Sequence, residues 1–63
     1  MDDGKTDLLD TEAAAALLDV KRGTLEAWRL NKRYPLPYVR VGRNVRYRRR
    51  DLIEFIEKRM VSA

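Results

Sequence analysis

The sequence predicts a mainly α-helical domain with one small β-hairpin, its elements in the order α-α-β-β-α. Three observations predict it. Two short stretches with helical propensity or apolar spacing precede Pro35, the hydrophobic period drops to two over residues 38–48, and an amphipathic stretch follows to residue 60. Sixty-three residues allow one small core, and a chain of this length buries only about 60% of its unfolded surface.

Residues 1–7 are polar and are expected to form a flexible N-terminus, leaving residues 8–60 for the folded domain. Asp10 precedes TEAAAALL, where an Asp N-cap, Glu12 in the first turn and four alanines predict a short helix ending near Asp19. Leu17 and Leu18 are expected to face the core. The alanines read either as plain helix propensity or as a surface another helix approaches closely.

KRGTLEAWRLNKR then predicts a second helix. Leu25 and Trp28 lie three apart on one face, which makes Trp28 a core residue rather than a base-stacking one. Two short helices joined by a tight turn, the second one basic, form a helix-turn-helix. Pro35 and Pro37 in YPLP stop the second helix.

Beyond the prolines, Val39 and Val41 alternate with Tyr38 and Arg40, and Val45 and Tyr47 with Arg46 and Arg48. Gly42-Arg43-Asn44 supplies the turn, so the pair reads as a hairpin wing beside the helices. A three-residue loop would pair Val41 with Val45 and set Arg40 opposite Arg46. That like-charge pairing weakens a free-standing hairpin and suits one that receives phosphates. In the last helix Leu52, Ile53, Phe55, Ile56 and Met60 are expected to fill an apolar face. Lys58 and Arg59 fall in its last turn, where they suit the dipole.

The composition excludes several classes of function. The chain has no histidine and no cysteine, so it has no disulfide and no ordinary zinc-ligand set. No catalytic grouping stands out among its acids, and no enzyme activity or cofactor is expected. No apolar run approaches a membrane span and the start MDDGKTD does not read as a signal peptide, so a cytoplasmic location without membrane association is expected.

Charge is segregated. Residues 1–20 carry six acids against Lys5, residues 21–50 carry eleven Lys or Arg against Glu26, and the whole chain has a net +4. A basic centre between acidic flanks points to a polyanion. Seven of the eleven cations are arginines within RYPLPYVRVGRNVRYRRRD, residues 33–51. Arg43 and Asn44 mark the hairpin tip, with Arg40 and Arg46 lower down. Arg48, Arg49 and Arg50 crowd the start of the last helix. They read either as a phosphate seat at its N-terminus or as a solvated run leading into it.

The order of these motifs resembles the small winged helix-turn-helix proteins of the excisionase and AlpA type, distant relatives of MerR DNA-binding domains. It is carried by LLDTEAAAALLDV, Thr-Leu-x-x-Trp at residues 24–28, the Pro-x-Pro exit, the Gly-Arg wing tip and Arg-Tyr before the last helix, over residues 8–57. The resemblance implies double-stranded DNA as partner, with the second helix in the major groove and the wing over an adjacent minor groove. By position it implies a recognition surface of Lys21, Arg22, Gly23, Thr24, Glu26, Ala27 and Arg29, with Arg43 at the wing tip. Gly23 and Ala27 have no side chain that hydrogen-bonds a base edge, which shifts sequence reading to Arg22, Thr24, Glu26, the wing and DNA shape.

Two roles within DNA binding follow from the resemblance. One is a recombination directionality factor that bends attachment-site DNA, directs an integrase towards excision and self-associates cooperatively on DNA. The other is a transcriptional regulator of a prophage or integrative element. The first is favoured because the chain stops just after its DNA-binding region. From a different class, a protein-interaction module would dock an acidic partner through the same basic surface, and its binding would need no DNA.

Overall fold

The computed structural model describes residues 7–61. The chain runs through β1 (Leu8–Leu9), α1 (Thr11–Leu18), α2 (Arg22–Asn31), β2 (Val39–Val41), β3 (Asn44–Arg48) and α3 (Arg49–Glu57). The expected flexible stretch 1–7 lies, apart from Asp7, outside the described residues. Three helices and a small antiparallel sheet make a winged helix-turn-helix, with one strand more than the expected order.

Asp10 caps α1 as its position predicts, its carboxylate accepting a bond from the Ala13 amide at 2.8 Å. The helix ends at Asp19, whose φ of 60° is left-handed. The Val20 amide reaches back to the Ala15 carbonyl at 2.9 Å and the Asp19 amide to the Ala16 carbonyl at 3.1 Å. This double closure turns the chain sharply into α2, and Val20 packs against the core beside it.

Ala14, Ala15, Leu25, Tyr47 and Leu52 form the core, with Phe55 buried at its edge and Leu18, Trp28 and Leu36 packed around it. The alanines, not the leucines, are the innermost residues of α1. Leu18 is half-buried and Leu17 is exposed, against the expectation that both face inward. With α1 and α2 packed together across so small a core, only a side chain the size of alanine fits at the closest approach. Trp28 is half-buried, its ring edge-on to Tyr34 at 4.8 Å and tilted against Phe55 at 6.2 Å. It is a packing residue, as its register with Leu25 predicts.

The apolar face of α3 is narrower than its sequence suggests. The helix stops at Glu57, leaving Met60 outside it, and Ile53 and Ile56 are exposed. Leu52 and Phe55 hold α3 to the core. Arg59 folds back over the Phe55 ring at 3.7 Å and donates to the Phe55 carbonyl at 3.3 Å, so one cation closes both the ring face and a last-turn carbonyl.

The strands run in the order β1-β3-β2. Leu8 pairs with Arg48 and Leu9 with Tyr47, so the lead-in dipeptide is a third strand against the base of the wing. The hairpin register also differs from the expected one. Val41 pairs with Asn44, Arg40 with Val45 and Val39 with Arg46, which leaves a two-residue loop of Gly42-Arg43. Gly42 has φ +62° while Arg43 keeps a negative φ, the pattern of a II′ turn whose twist suits a hairpin. Arg40 and Arg46 therefore lie on opposite faces of the ribbon rather than side by side. The like-charge clash disappears.

Candidate nucleic-acid interface

The basic residues singled out in the sequence reach the surface by three local devices. The first is the amphipathic register of α2. With Leu25 turned to the core, Gly23, Ala27 and Leu30 are exposed on the outer side of the helix, Arg22 is exposed in its first turn, and Thr24 and Glu26 are half-exposed. Lys21 is the N-cap but makes no side-chain cap. Arg22 Nε donates to Glu26 Oε2 at 3.2 Å in an exposed pair one turn apart. Such a pair is worth little in water, so a phosphate or base edge can draw Arg22 away at small cost.

A Cβ built on Gly23 meets nothing within 4 Å, and this residue, inside a helix, has no positive φ to justify glycine. Gly23 and Ala27 leave a low path along the outer face. Leu30 follows at its far end, 70% exposed. The sequence assigned it no role, although the i, i+4, i+7 spacing from Gly23 places it on the same stripe.

Arg29 stands apart from this face. It is half-buried, with its guanidinium 5.7 Å from the centre of the Tyr38 ring. Its Nε and the Tyr47 hydroxyl are both buried without a hydrogen-bond partner among the described residues. Burial pushes the Tyr47 phenol above its ordinary value, and the neighbouring Arg29 charge pulls against that rise. Arg29 thus sits between the second helix and the hairpin rather than among the outward residues.

The second device is the wing. Its tight loop carries Arg43 to the tip, exposed, with Asn44 exposed behind it. Arg40 is exposed on one face of the ribbon. Arg46 is half-buried on the other, its guanidinium bonded to the neighbouring Val45 carbonyl at 2.9 Å.

The third is the junction of β3 with α3. Arg49 and Arg50 are exposed in the first turn. Arg48 is not equivalent to them. It clasps Asp51 with Nε to Oδ2 at 2.6 Å and a second nitrogen to Oδ1 at 3.2 Å. These bonds raise the Arg48 pKa above its already high ordinary value, so the charge stays on but its best donors are engaged. Of the three crowded arginines, two remain unengaged among the described residues.

Residues 8–60 match the helix-turn-helix domain family. The chain belongs to that family. This helix-turn-helix domain presents exposed basic residues at the start of α2, at the wing tip and in the first turn of α3, and membership in a family of small DNA-binding domains points it to DNA. No curated protein matches the chain. No described helix is long and apolar enough to cross a membrane, and no cluster of metal-ligating side chains occurs among the described residues.

Proposed function

We propose that this helix-turn-helix domain is an excisionase-type accessory factor that seats α2 in the major groove of double-stranded DNA and lays the wing along an adjacent minor groove. There it bends attachment-site DNA, assembles with further copies of itself and directs an integrase towards excision. One observation carries the DNA-facing part of this reading. The residues with base-reading chemistry, Arg22, Thr24 and Glu26, reach the surface near the start of α2, the end that helix-turn-helix proteins aim at base edges. Lys21, Arg43, Asn44, Arg40, Arg46 and Arg49 supply phosphate or minor-groove contacts around them. Arg29 and Arg48 serve this surface indirectly, by positioning. The excision role is supported by the motif order of residues 8–57 and not by any single side chain.

Footprinting on candidate attachment and promoter DNA tests the proposal. Protection of tandem sites at an attachment region supports the excision role; protection confined to a promoter supports a transcriptional one. A salt titration separates both from docking on an acidic protein. Neutralising about five to seven phosphates gives a slope of log K against log salt of roughly −4.5 to −6. A slope near zero on every duplex removes DNA from the reading. Arg22→Ala should cost roughly 1–3 kcal/mol on the footprinted site and much less on random DNA.

A further inference from the structure

Lys32 is a lysine in a place that favours glycine. It follows the last residue of α2 with φ 51° and ψ 41°, a left-handed conformation. Its amide bonds the Arg29 carbonyl at 3.4 Å and the Arg33 amide bonds the Trp28 carbonyl at 3.0 Å, the paired closure in which glycine is the usual residue. The only other described non-glycine with positive φ is Asp19, and aspartate tolerates that region through local hydrogen bonding. Lysine has no such compensation. A cation near a helix C-terminus gains from the dipole, but any residue of the last turn obtains that gain without a positive φ. Residues held in unfavourable backbone regions are a reason to look for function.

The charges around Lys32 suggest what that function is. Lys21 and Arg22 stand at one end of α2, Lys32 and Arg33 at the other, all exposed. Between them the only cation is Arg29, which is turned in towards Tyr38. Lys32 and Arg33 line an open groove of about 560 Å³ together with Trp28, Tyr34 and Tyr38, and neither makes an ion pair among the described residues. Ten helical residues span about 15 Å, slightly more than the roughly 12 Å width of the major groove. A helix of that length lying across the groove brings each end to a different phosphate wall.

We propose that Lys32, with Arg33 beside it, is a second phosphate contact at the trailing end of α2, opposite the phosphate contact at Lys21. The occupant is a phosphodiester of the strand facing the one whose phosphate Lys21 touches. The positive end charge also offsets the helix carbonyls, which would otherwise repel that phosphate. This inference rests on the proposed DNA binding and adds a footprint that grips both strands.

The experiment measures thermal unfolding and salt-dependent duplex binding for the wild type, Lys32→Gly, Lys32→Asn and Lys32→Arg. Lys32→Gly should raise the thermal midpoint by about 4–8 °C, because it relieves the left-handed lysine. It should nonetheless weaken binding on footprinted and random duplexes alike, with a salt slope shallower by about 0.9. Between 50 and 200 mM salt, the wild-type advantage should then shrink about threefold to fourfold. Lys32→Asn, which tolerates the backbone and lacks the charge, should bind like Lys32→Gly. Lys32→Arg should bind like the wild type. Neutral variants that keep wild-type affinity and slope overturn the phosphate contact while leaving the proposed function standing. A wild type without salt-dependent binding to any duplex overturns both.

Discussion

Arg48 at the end of the wing grips Asp51 in the first turn of α3 through two bonds, at 2.6 and 3.2 Å. The pair substitutes for a missing side-chain cap, since Arg48 is the N-cap residue and offers no acceptor to the first amides. Asp51 adds a negative charge where the helix dipole wants one. Asp51→Asn should lose roughly 0.3–1 kcal/mol from the dipole alone, with a further loss from the broken clasp. In chemical denaturation, Arg48→Gln and Asp51→Asn should not add. Additive effects would mean that the two side chains act independently.

Trp28 gives a sharper test of the core. Its ring joins Tyr34 and Phe55 in a cluster closed on one side by Arg59. Trp28→Ala should cost about 3–5 kcal/mol, comparable to the whole stability of a domain this small. Circular dichroism should show the fold lost together with DNA affinity. A folded variant that only binds DNA poorly would instead make Trp28 a contact.

The wing predicts three distinguishable variants. Arg43→Ala should leave the fold intact and weaken binding most on sites with an A·T-rich flank, because a narrow minor groove attracts guanidinium through its potential. Equal losses on A·T-rich and G·C-rich flanks would reduce Arg43 to a phosphate contact. Arg40→Ala and Arg46→Ala should each weaken all sequences alike and make the salt slope shallower by about 1. Because the two lie on opposite faces of the ribbon, their losses should add within roughly 0.5 kcal/mol. Strong coupling in the double variant would mean a shared phosphate.

Tyr47 makes stability fall in alkali. Its folded pKa is raised above 10.0, first by burial, so the folded state keeps the proton after the unfolded chain has released it. The contribution is complete below pH 10 and is lost as pH rises through the folded value. Thermal midpoints should decline above about pH 10, and Tyr47→Phe should flatten that decline. A Phe variant that declines as steeply would place the alkaline sensitivity elsewhere.

Much of this fold is written locally. The Asp10 cap, the spacing of Leu25 and Trp28 and the alternation around Val45 and Tyr47 each use a rule spanning a few residues, and each predicts its element. What the sequence conceals depends on partners distant along the chain. Leu8 and Leu9 form too short a strand to show a period, and only Arg48 and Tyr47 make it one. The loop length decides which residues face which, and Gly42-Arg43-Asn44 permits two answers. Of the candidate site, the exposed residues of α2 and Arg43 are legible because turn and helix chemistry place them. The engagement of Arg48 by Asp51 and the inward turn of Arg29 are not, because both are set by tertiary neighbours. Lys32 was hidden for another reason: a lysine after a helix looks ordinary until its φ is known.

The direct passage of β3 into α3 has a mechanical consequence. No residue separates Arg48 from Arg49, Tyr47 is locked in the core one position earlier, and β1 braces the same two residues from the other side. The wing is therefore a cantilever with a clamped root, and a load at Arg43 reaches the core within four residues. From Asn44 to Arg48 that path is continuous strand. When the tip and α2 are both engaged on one duplex, any misfit in height between them must be absorbed by the softer body. Duplex DNA yields to bends of 40–90° at a cost on the order of 1–6 kcal/mol, so in the proposed complex the duplex is the partner expected to bend.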